Sequence, residues 1–216
     1  MSVAARAMTL EEGARALDLR LSGEQLARLR GYVDLLAKWN RTYNLTAIRE
    51  PERMITHHVL DALAILPHLK RFAGARVLDV GSGGGVPGIP LAIAQPEWRV
   101  TLLDSNSKKT TFLTQAVIEL ALPNVDVTTA RVEAFASAVA YDVVVSRAFS
   151  DLADFATSSA RHVARGGVLA AMKGVHPDEE LAQLPAGFRV LAAPAIDVPG
   201  LDAARHLILI EPSRAA

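Results

Sequence analysis

The first third of the chain places apolar residues at helical spacing. Ser22 followed by Gln25 fits a capping box, in which each side chain bonds the backbone N–H of the other residue. The apolar positions after it recur every three or four residues, at Leu26, Leu29, Val33 and Leu36. The pattern predicts one helix over residues 22–40 and a second over residues 51–67, which begins at a proline. We therefore expect residues 1–70 to form a helical extension.

From residue 71 onward, short and almost continuous apolar runs alternate with helical segments. The runs predict seven strands, at residues 77–80, 99–104, 125–129, 141–146, 168–173, 188–198 and 205–211. The longest intervening helices are predicted at residues 107–120 and 151–164, with Gly166 and Gly167 ending the second. Apolar strands that alternate with helices are typical of a parallel sheet covered on both faces. We expect an α/β fold in which residues 71–216 form a mainly parallel, doubly wound seven-stranded sheet, with the extension packed on it in a single structural domain.

The most distinctive stretch covers residues 76–88 and reads RVLDVGSGGGVPG. A short apolar strand is followed by five glycines, namely Gly81, Gly83, Gly84, Gly85 and Gly88. Glycine lets a ligand approach the main chain closely, and a strand, a glycine turn and a helix hold nucleotide-like cofactors in doubly wound folds. The spacing fits two cofactors. Gly81-x-Gly83-x-Gly85 is typical of S-adenosylmethionine-dependent methyltransferases, whereas Gly83-x-Gly85-x-x-Gly88 satisfies the dinucleotide fingerprint.

Two acidic residues near the glycines bear on this choice. Asp79 precedes them, where a carboxylate would repel a pyrophosphate by about 4 kcal/mol at about 4 Å and would attract the ammonium of S-adenosylmethionine. Capping or ordering of the turn is the alternative role for Asp79. Asp104 ends the next strand, where a carboxylate accepts ribose hydroxyls, unless it serves as a helix N-cap. Arg131–Glu133 follow the third strand, where an adenine edge or a plain surface turn would lie. The charges favour a methyltransferase over a nicotinamide-dependent oxidoreductase.

Composition excludes several kinds of site. The 216 residues contain no cysteine, which excludes disulfides, zinc–thiolate sites and a thiol nucleophile. No apolar run approaches the roughly 18–20 residues of a membrane span, and the N-terminus lacks the apolar stretch of a secretory signal. We therefore expect a cytoplasmic protein without membrane contact. His57, His58 and Asp61 lie close together on the second predicted helix but make a poor metal cage, so no metal is expected.

The missing cysteine also narrows the possible methyl acceptors. Methylation of pyrimidine C5 in RNA generally passes through a cysteine adduct, and amine methylation usually uses an Asn/Asp-Pro-Pro-aromatic motif after the fourth strand. This chain has Ser146-Arg147-Ala148-Phe149 there. A ring nitrogen with a free lone pair, such as guanine N7, remains as an acceptor that needs only positioning. Arg147 could contact cofactor or phosphate and Phe149 could stack on a flipped base, or they could be a surface ion pair and a core residue.

The formal net charge is zero, but the charged residues are unevenly distributed along the chain. Residues 1–75 hold 11 Lys and Arg against 8 Asp and Glu, and the remainder holds 12 against 15. A basic N-terminal face could meet RNA phosphates, with Arg41, Arg49 and Arg53 as candidates, although a solvated helical surface explains the same numbers. A non-enzymatic RNA-binding module with this fold is therefore a second functional hypothesis.

Eight segments in order cover almost the whole chain: LLAKWNRTYNLTAIREP (35–51), HHVLDAL (57–63), VLDVGSGGGVPGIPLAI (77–93), LLDSNSKKTTFL (102–113), ARVEAF (130–135), VSRAFSDL (145–152), MKG (172–174) and ARHLILI (204–210). Through them the chain resembles the bacterial ribosomal RNA small-subunit methyltransferase G family, also called glucose-inhibited division protein B. The resemblance implies a Rossmann-like class I methyltransferase fold. It also implies transfer of a methyl group from S-adenosylmethionine to N7 of guanine 527 in 16S ribosomal RNA.

The same resemblance implies roles for individual residues. The cofactor-contacting positions correspond to Gly81, Val86, Val132, Glu133 and Arg147, and the ribose acid corresponds to Asp104. Further candidates for the cofactor are Asp79, Gly83 and Gly85, and candidates for substrate binding are Arg147, Phe149 and Lys173. Relatives often carry proline and leucine in the loop, so the extra glycine should loosen the free loop here. No catalytic residue is assigned, and the expected partner of the monomer is 16S RNA within the 30S subunit or an assembly intermediate.

Overall fold

The computed structural model describes residues 8–147, 149 and 151–213. Its strands are β1 (Arg76–Val80), β2 (Arg99–Asp104), β3 (Val125–Thr129), β4 (Tyr141–Arg147), β5 (Val163–Lys173), β6 (Phe188–Ala192) and β7 (His206–Pro212). They form one sheet in the order β3-β2-β1-β4-β5-β7-β6. Only the pairs that include β7 are antiparallel. The predicted mainly parallel, seven-stranded sheet is confirmed.

The strand order places a ligand crevice at the carboxyl ends of the parallel strands. β1 pairs with β2 on one side and with β4 on the other, so the direction in which strands are added reverses between β3 and β4. In open α/β sheets, ligands bind outside the carboxyl ends of the strands at such a switch point. The glycine stretch follows the carboxyl end of β1 directly and therefore lies at this crevice.

The helices cover both faces of the sheet. They are α1 (Leu10–Ala16), α2 (Gly23–Tyr43), α3 (Pro51–Met54), α4 (Asp61–Leu63), α5 (Gly88–Ala94), α6 (Ser107–Glu119), α7 (Leu152–Ser159) and α8 (Asp178–Ala182). Successive residues of β1 point to opposite faces, so Val77 belongs to one apolar core and Leu78 to another. The first core contains residues of α2, α5 and α6, and the second contains residues of α7.

The helical extension shares the first core. The predicted capping box at the start of α2 is present, with Ser22 N–H donating to Gln25 Oε1 at 2.8 Å and Gln25 N–H to Ser22 Oγ at 3.2 Å. The helix continues to Tyr43, three residues beyond the prediction, and ends where Asn44 adopts a left-handed conformation with φ 48°. Buried side chains of α2, among them Tyr32 and Leu36, pack in the same core as α5.

The second predicted helix is not a uniform α-helix. A π-helical stretch, Ile55–Leu60, joins α3 to α4, and a 3₁₀ turn follows at Leu66–Leu69. Single π-helical turns inside α-helices occur frequently at functional sites. The stretch contains His57 and His58 and leads directly into Asp61.

The prediction for residues 151–173 was wrong at the start of β5. The helix ends at Ser159, a 3₁₀ turn covers Ala160–His162, and the strand begins at Val163. Gly166 and Gly167 therefore lie inside the strand, at an irregularity in its pairing with β4. A Cβ at Gly167 would lie 2.8 Å from the carbonyl oxygen of Asp142, so glycine permits a close strand approach here instead of ending a helix.

The last part of the chain also differs from the prediction. β6 ends at Ala192, six residues before the predicted end of that strand, and beyond it only Ala195 makes an isolated bridge, to His206. Within the described ranges, no helix combines the length and apolar character required to cross a bilayer.

Candidate active site

The glycine loop after β1 turns back on the sheet. The N–H groups of Gly81 and Ser82 both donate to the carbonyl oxygen of Leu103 in β2, at 2.8 and 3.1 Å. Gly85 has φ 88°, and a Cβ there would collide with the side chain of Ile89. Only glycine combines a positive φ with the absence of a Cβ, so a glycine at this position is required for the path of the main chain into α5.

Asp79 lies beneath this loop. Its side chain is fully buried, and its Oδ2 accepts the N–H of Gly88, the first residue of α5, at 2.9 Å. Burial raises the pKa of Asp79 from 3.8 to about 7, and the hydrogen bond from Gly88 acts in the opposite direction. Asp79 does not line the cavity described below. The structure therefore supports the ordering role, and a contact between this carboxylate and the ammonium of a cofactor stays a prediction.

Asp104 holds the loop from the end of β2. Its Oδ2 accepts the N–H of Gly83 at 2.9 Å, and its Oδ1 accepts the N–H of Asn106 at 2.8 Å. The N-cap of α6 is Asn106, so Asp104 does not have the capping role that was its alternative. The carboxyl is only 6% exposed, yet it borders the cavity. Each oxygen has one backbone donor and keeps a further lone pair for a ligand.

A cavity of about 420 Å³ opens at the carboxyl ends of strands β1 to β4. Six of the residues predicted for the site line it, namely Gly81, Asp104, Val132, Glu133, Arg147 and Phe149. The remaining lining residues include Ser105, Lys109, Arg131 and Ser146. The sequence singled out none of Ser105, Lys109 and Ser146 as a site residue, because their positions are explicable as helix start or strand end.

Three predicted cofactor positions support the loop without lining the cavity. Gly83 and Gly85 shape its backbone, with φ values of 56° and 88°. Val86 is 5% exposed, packs in the apolar core and does not line the cavity. In this structure an apolar wall comes from Val132.

The wall containing Val132 and Glu133 is fixed by Arg161. Its Nη2 donates to the carbonyl oxygens of Val132, Glu133 and Phe135, at 3.0, 2.7 and 2.9 Å. A guanidinium is well suited to several carbonyl acceptors, because it offers five N–H donors in a fixed plane. The sequence did not single out Arg161, since nothing in its local pattern points to partners about thirty residues earlier.

Arg147 extends from the end of β4 toward the extension. Its Nη1 donates to the carbonyl oxygen of His57 at 2.8 Å and to Asp61 Oδ2 at 3.1 Å. Its Nη2 lies 3.2 Å from His58 Nδ1. The π-helical stretch and the residue after it therefore contact both Nη atoms of the guanidinium that lines the cavity.

Asp61 binds a second arginine as well. Its Oδ1 accepts from Nε of Arg205 at 2.9 Å, so one buried carboxylate, 3% exposed, joins two guanidinium groups. Burial lowers the pKa of His58 from 6.5 to about 4, and the neighbouring Arg147 lowers it further in the same direction. His58 is therefore neutral at pH 7, and the cluster carries two positive charges against one negative charge.

Phe149 lines the cavity, and Lys173, which does not line it, binds the main chain of Phe149. Phe149 stacks at a tilt on Phe155, with ring centroids 5.4 Å apart, and still borders the cavity. Lys173 Nζ donates to the carbonyl oxygen of Phe149 at 3.2 Å and to Glu180 Oε2 at 2.6 Å. Its side chain is 12% exposed. This geometry favours support of the Phe149 segment over the direct substrate contact that the sequence predicts for Lys173. Among the described residues, no cluster of histidine and carboxylate side chains could hold a metal ion.

Comparison with known proteins identifies the family. The family model described as "rRNA small subunit methyltransferase G" matches residues 25–208. The chain belongs to this family. A ribosomal RNA small subunit methyltransferase G from Laribacter hongkongensis is 58% identical over 199 residues, covering 92% of this chain and 95% of that protein. The Neisseria meningitidis serogroup A protein of the same name is 53% identical over 201 residues, covering 93% and 96%.

Solved structures agree on the fold of this family member. The glycopeptide N-methyltransferase MtfA, complexed with S-adenosylmethionine, aligns with a TM-score of 0.59 at 16% identity over 70% of this chain and 87% of that one. TrmN from Thermus thermophilus aligns with a TM-score of 0.54 at 21% identity, over 70% of this chain and 48% of that longer one. The predicted methyltransferase fold, enzyme class and S-adenosylmethionine cofactor are confirmed.

Proposed function

We propose that the protein transfers the methyl group of S-adenosylmethionine to N7 of guanine 527 in 16S ribosomal RNA. The observation that carries the proposal is the cavity between Asp104 and Arg147 at the switch point of the sheet. Its acidic side suits a nucleoside ribose, and its basic, aromatic side suits an RNA base and phosphate. The names of the relatives support ribosomal RNA of the small subunit as the substrate, and the nucleotide and its N7 atom follow from the family resemblance.

The residues present fit the cofactor. Asp104 keeps acceptor lone pairs at the position where ribose hydroxyls bind in such folds. Val132 offers an apolar surface for adenine, next to Glu133, whose segment Arg161 holds in place. Gly81 brings backbone to the cavity without a side chain. We therefore assign cofactor contacts to Gly81, Asp104, Val132, Glu133 and Arg147, and an indirect role through the loop to Gly83, Gly85 and Val86.

The reaction needs little proton chemistry from the protein. When bound, S-adenosylmethionine supplies an electrophilic methyl group on a sulfonium. The lone pair of guanine N7 forms the new C–N bond while the S–C bond breaks, its electron pair remains on sulfur, and the positive charge passes to the base. No proton leaves N7, so no general base is required, and none is assigned. Phe149 and Arg147 act by orienting the flipped base and its phosphate, since in-line positioning alone lowers a barrier by several kcal/mol.

Transfer of a labelled methyl group tests this function. The wild-type protein is incubated with labelled S-adenosylmethionine and either 30S subunits or naked 16S RNA from cells that lack the modification, and the modified nucleotide is mapped. We expect one methyl group at N7 of guanine 527, and the better substrate distinguishes subunit from free RNA. Label at another nucleotide would overturn the assigned position. Cofactor binding without incorporation into either substrate would instead favour a non-enzymatic RNA-binding module.

The outer face of the extension is the proposed RNA surface. Arg41, Arg49 and Arg53 are exposed, and Arg53 lies one helical turn before His57, whose carbonyl oxygen holds Arg147. Replacing the three arginines with alanine should weaken RNA binding and reduce the slope of log affinity against log salt by about 2, because each phosphate contact contributes about 0.7–0.9. Binding titrations over a series of salt concentrations measure this slope, and cofactor affinity should not change.

Three exposed arginines near the amino-terminal ends of the strands provide the matched control. They are Arg99, Arg165 and Arg189. Their replacement removes the same charge at the amino-terminal side of the parallel strands, away from the cavity. An equal loss of salt slope in both triple variants would mean that RNA is bound by net charge alone and not by the extension.

We also propose that the enzyme acts in the cytoplasm as a monomer. The exposed large apolar side chains in the described part of the chain include Tyr43 at the end of α2, Ile118 in α6 and Val175 in the loop after β5, and scattered single residues of this kind are usual on a monomer. Sedimentation at the mass of a single chain would support this state, and a concentration-dependent dimer would contradict it.

A further inference from the structure

Helix α2 lies along α5 and reaches both of its ends. Near the start of α2, Gln25 Nε2 donates to the carbonyl oxygens of Ile93 and Ala94 at the carboxyl end of α5, at 3.0 and 3.1 Å. Seven residues later, about two helical turns, Tyr32 reaches the loop that precedes α5. The two helices are therefore antiparallel, and α2 spans the distance from the end of α5 to the glycine loop.

Tyr32 donates its hydroxyl to the carbonyl oxygen of Gly84, at 2.6 Å. The side chain of Tyr32 is fully buried, so water does not compete for this hydrogen bond. Leu36, one turn further along α2, packs against the same glycine, and a Cβ at Gly84 would lie 3.1 Å from its Cδ1. The middle of the glycine loop is thus held against α2 by one polar and one apolar contact.

Two carboxylates from the ends of β1 and β2 also hold the loop. Asp104 binds the N–H of Gly83, and Asp79 binds the N–H of Gly88. Both anchors act on N–H groups, whereas Tyr32 fixes a carbonyl oxygen between them. A run of three glycines has more conformational freedom in the unliganded loop than other residues would, so each anchor reduces the entropy that is lost when a ligand binds.

We infer that Tyr32 is a positioning residue for the cofactor, because its hydroxyl holds the glycine loop in the conformation that accepts S-adenosylmethionine. This inference rests on the proposed location of the cofactor site. Tyr32 itself touches neither cofactor nor substrate. The N-terminal extension therefore helps to position the cofactor site in addition to packing on the sheet.

The test compares the wild-type protein with Tyr32→Phe, which removes the hydroxyl and leaves the ring. Titration calorimetry should show S-adenosylmethionine binding weakened about tenfold, since the buried carbonyl oxygen of Gly84 loses its partner. In the cofactor-free protein, hydrogen exchange should accelerate at the N–H groups of Gly85 and Val86, which bond to the carbonyl oxygen of Ser82. Exchange in the free protein reports on the loop independently of activity.

Two controls separate positioning from stability. Tyr43→Phe makes the same chemical change on an exposed tyrosine of the same helix and should leave both cofactor affinity and loop exchange unchanged. Gln25→Ala removes hydrogen bonds to the far end of α5 and should lower the melting temperature with little effect on cofactor affinity. Binding by Tyr32→Phe within twofold of wild type, together with wild-type exchange at Gly85 and Val86, would overturn the inference.

A second variant covers the case in which Tyr32→Phe does not fold. Gly84→Ala keeps the tyrosine and adds a Cβ 3.1 Å from Leu36 Cδ1 at the point where the loop rests on α2. We expect weaker cofactor binding and faster exchange at Gly85 and Val86, and wild-type values for both would overturn the inference. Failure of the wild-type protein itself to bind S-adenosylmethionine would contradict the proposed cofactor site, and so is distinguishable from a failure of the role of Tyr32.

Discussion

Replacing Asp61 with asparagine should reduce kcat/KM for methyl transfer at least tenfold. The change removes the carboxylate that binds both Arg147 and Arg205, so two guanidinium groups are left facing each other without a counter-charge. Removing one partner of a buried ion pair costs about 3–5 kcal/mol of stability. We expect a loss near the lower end, because Arg147 and Arg205 keep 26% and 25% of their side chains exposed and can rehydrate.

The distinguishing measurement is methyl transfer at a temperature where Asp61→Asn is fully folded. The loss should be larger for kcat/KM with the RNA substrate than for the dissociation constant of S-adenosylmethionine, since Arg147 is proposed to orient the RNA phosphate, whereas Asp104 and Val132 still line the cofactor cavity. Asp34→Asn, on an exposed position of α2, makes the same chemical change and should have no effect. Wild-type turnover by folded Asp61→Asn would show that this carboxylate only stabilises the fold.

Alanine at Asp104 should weaken S-adenosylmethionine binding tenfold or more. A hydrogen bond to a charged group is worth about 1.5–3 kcal/mol, and this carboxylate is the proposed ribose acceptor. It also holds the N–H of Gly83, so the alanine variant loses a loop anchor at the same time. Titration calorimetry measures the affinity, and Asp126→Ala, at an exposed position of β3, is the matched control.

A double-mutant cycle separates the two roles of Asp104. An S-adenosylhomocysteine analogue without the ribose 2′- and 3′-hydroxyls is compared with the parent ligand, on wild-type protein and on Asp104→Ala. If the carboxylate accepts the ribose, loss of the hydroxyls should weaken binding to the wild type and have little effect on the variant. Equal losses on both proteins would show that Asp104 acts only by holding the glycine loop.

The sequence was most informative where one local rule determines the structure. The apolar runs predicted all seven strands, most clearly β1, β4 and β5, because buried parallel strands require near-continuous apolar residues. The glycine spacing placed the loop, and Asp104 at the end of β2 borders the cavity as predicted. The start of β5 was missed because a glycine pair usually ends a helix, whereas Gly167 here allows two strands to approach closely.

The sequence was least informative where partners are far apart in the chain. Asp61 is separated by 86 residues from Arg147 and by 144 from Arg205, so neither spacing nor periodicity connects them. The charge argument for Asp79 favoured the correct cofactor, but the structure shows this carboxylate bonded to the start of α5. A strand-end acid can face the ligand or the adjacent helix, and only the fold shows that this one binds Gly88. The family resemblance, not the charge argument, was the reliable evidence for the cofactor.

Asp79 and His58 link folding to proton uptake in opposite directions. Between about pH 4 and pH 7 the folded protein holds a proton on Asp79 that the unfolded chain releases, so this group's contribution to stability falls as the pH rises. Between about pH 4 and pH 6.5 the unfolded chain instead binds a proton at His58 that the folded protein excludes, so that contribution rises with pH. Between about pH 4 and pH 6.5 the contributions of these two buried groups to stability therefore have opposite signs and partly cancel.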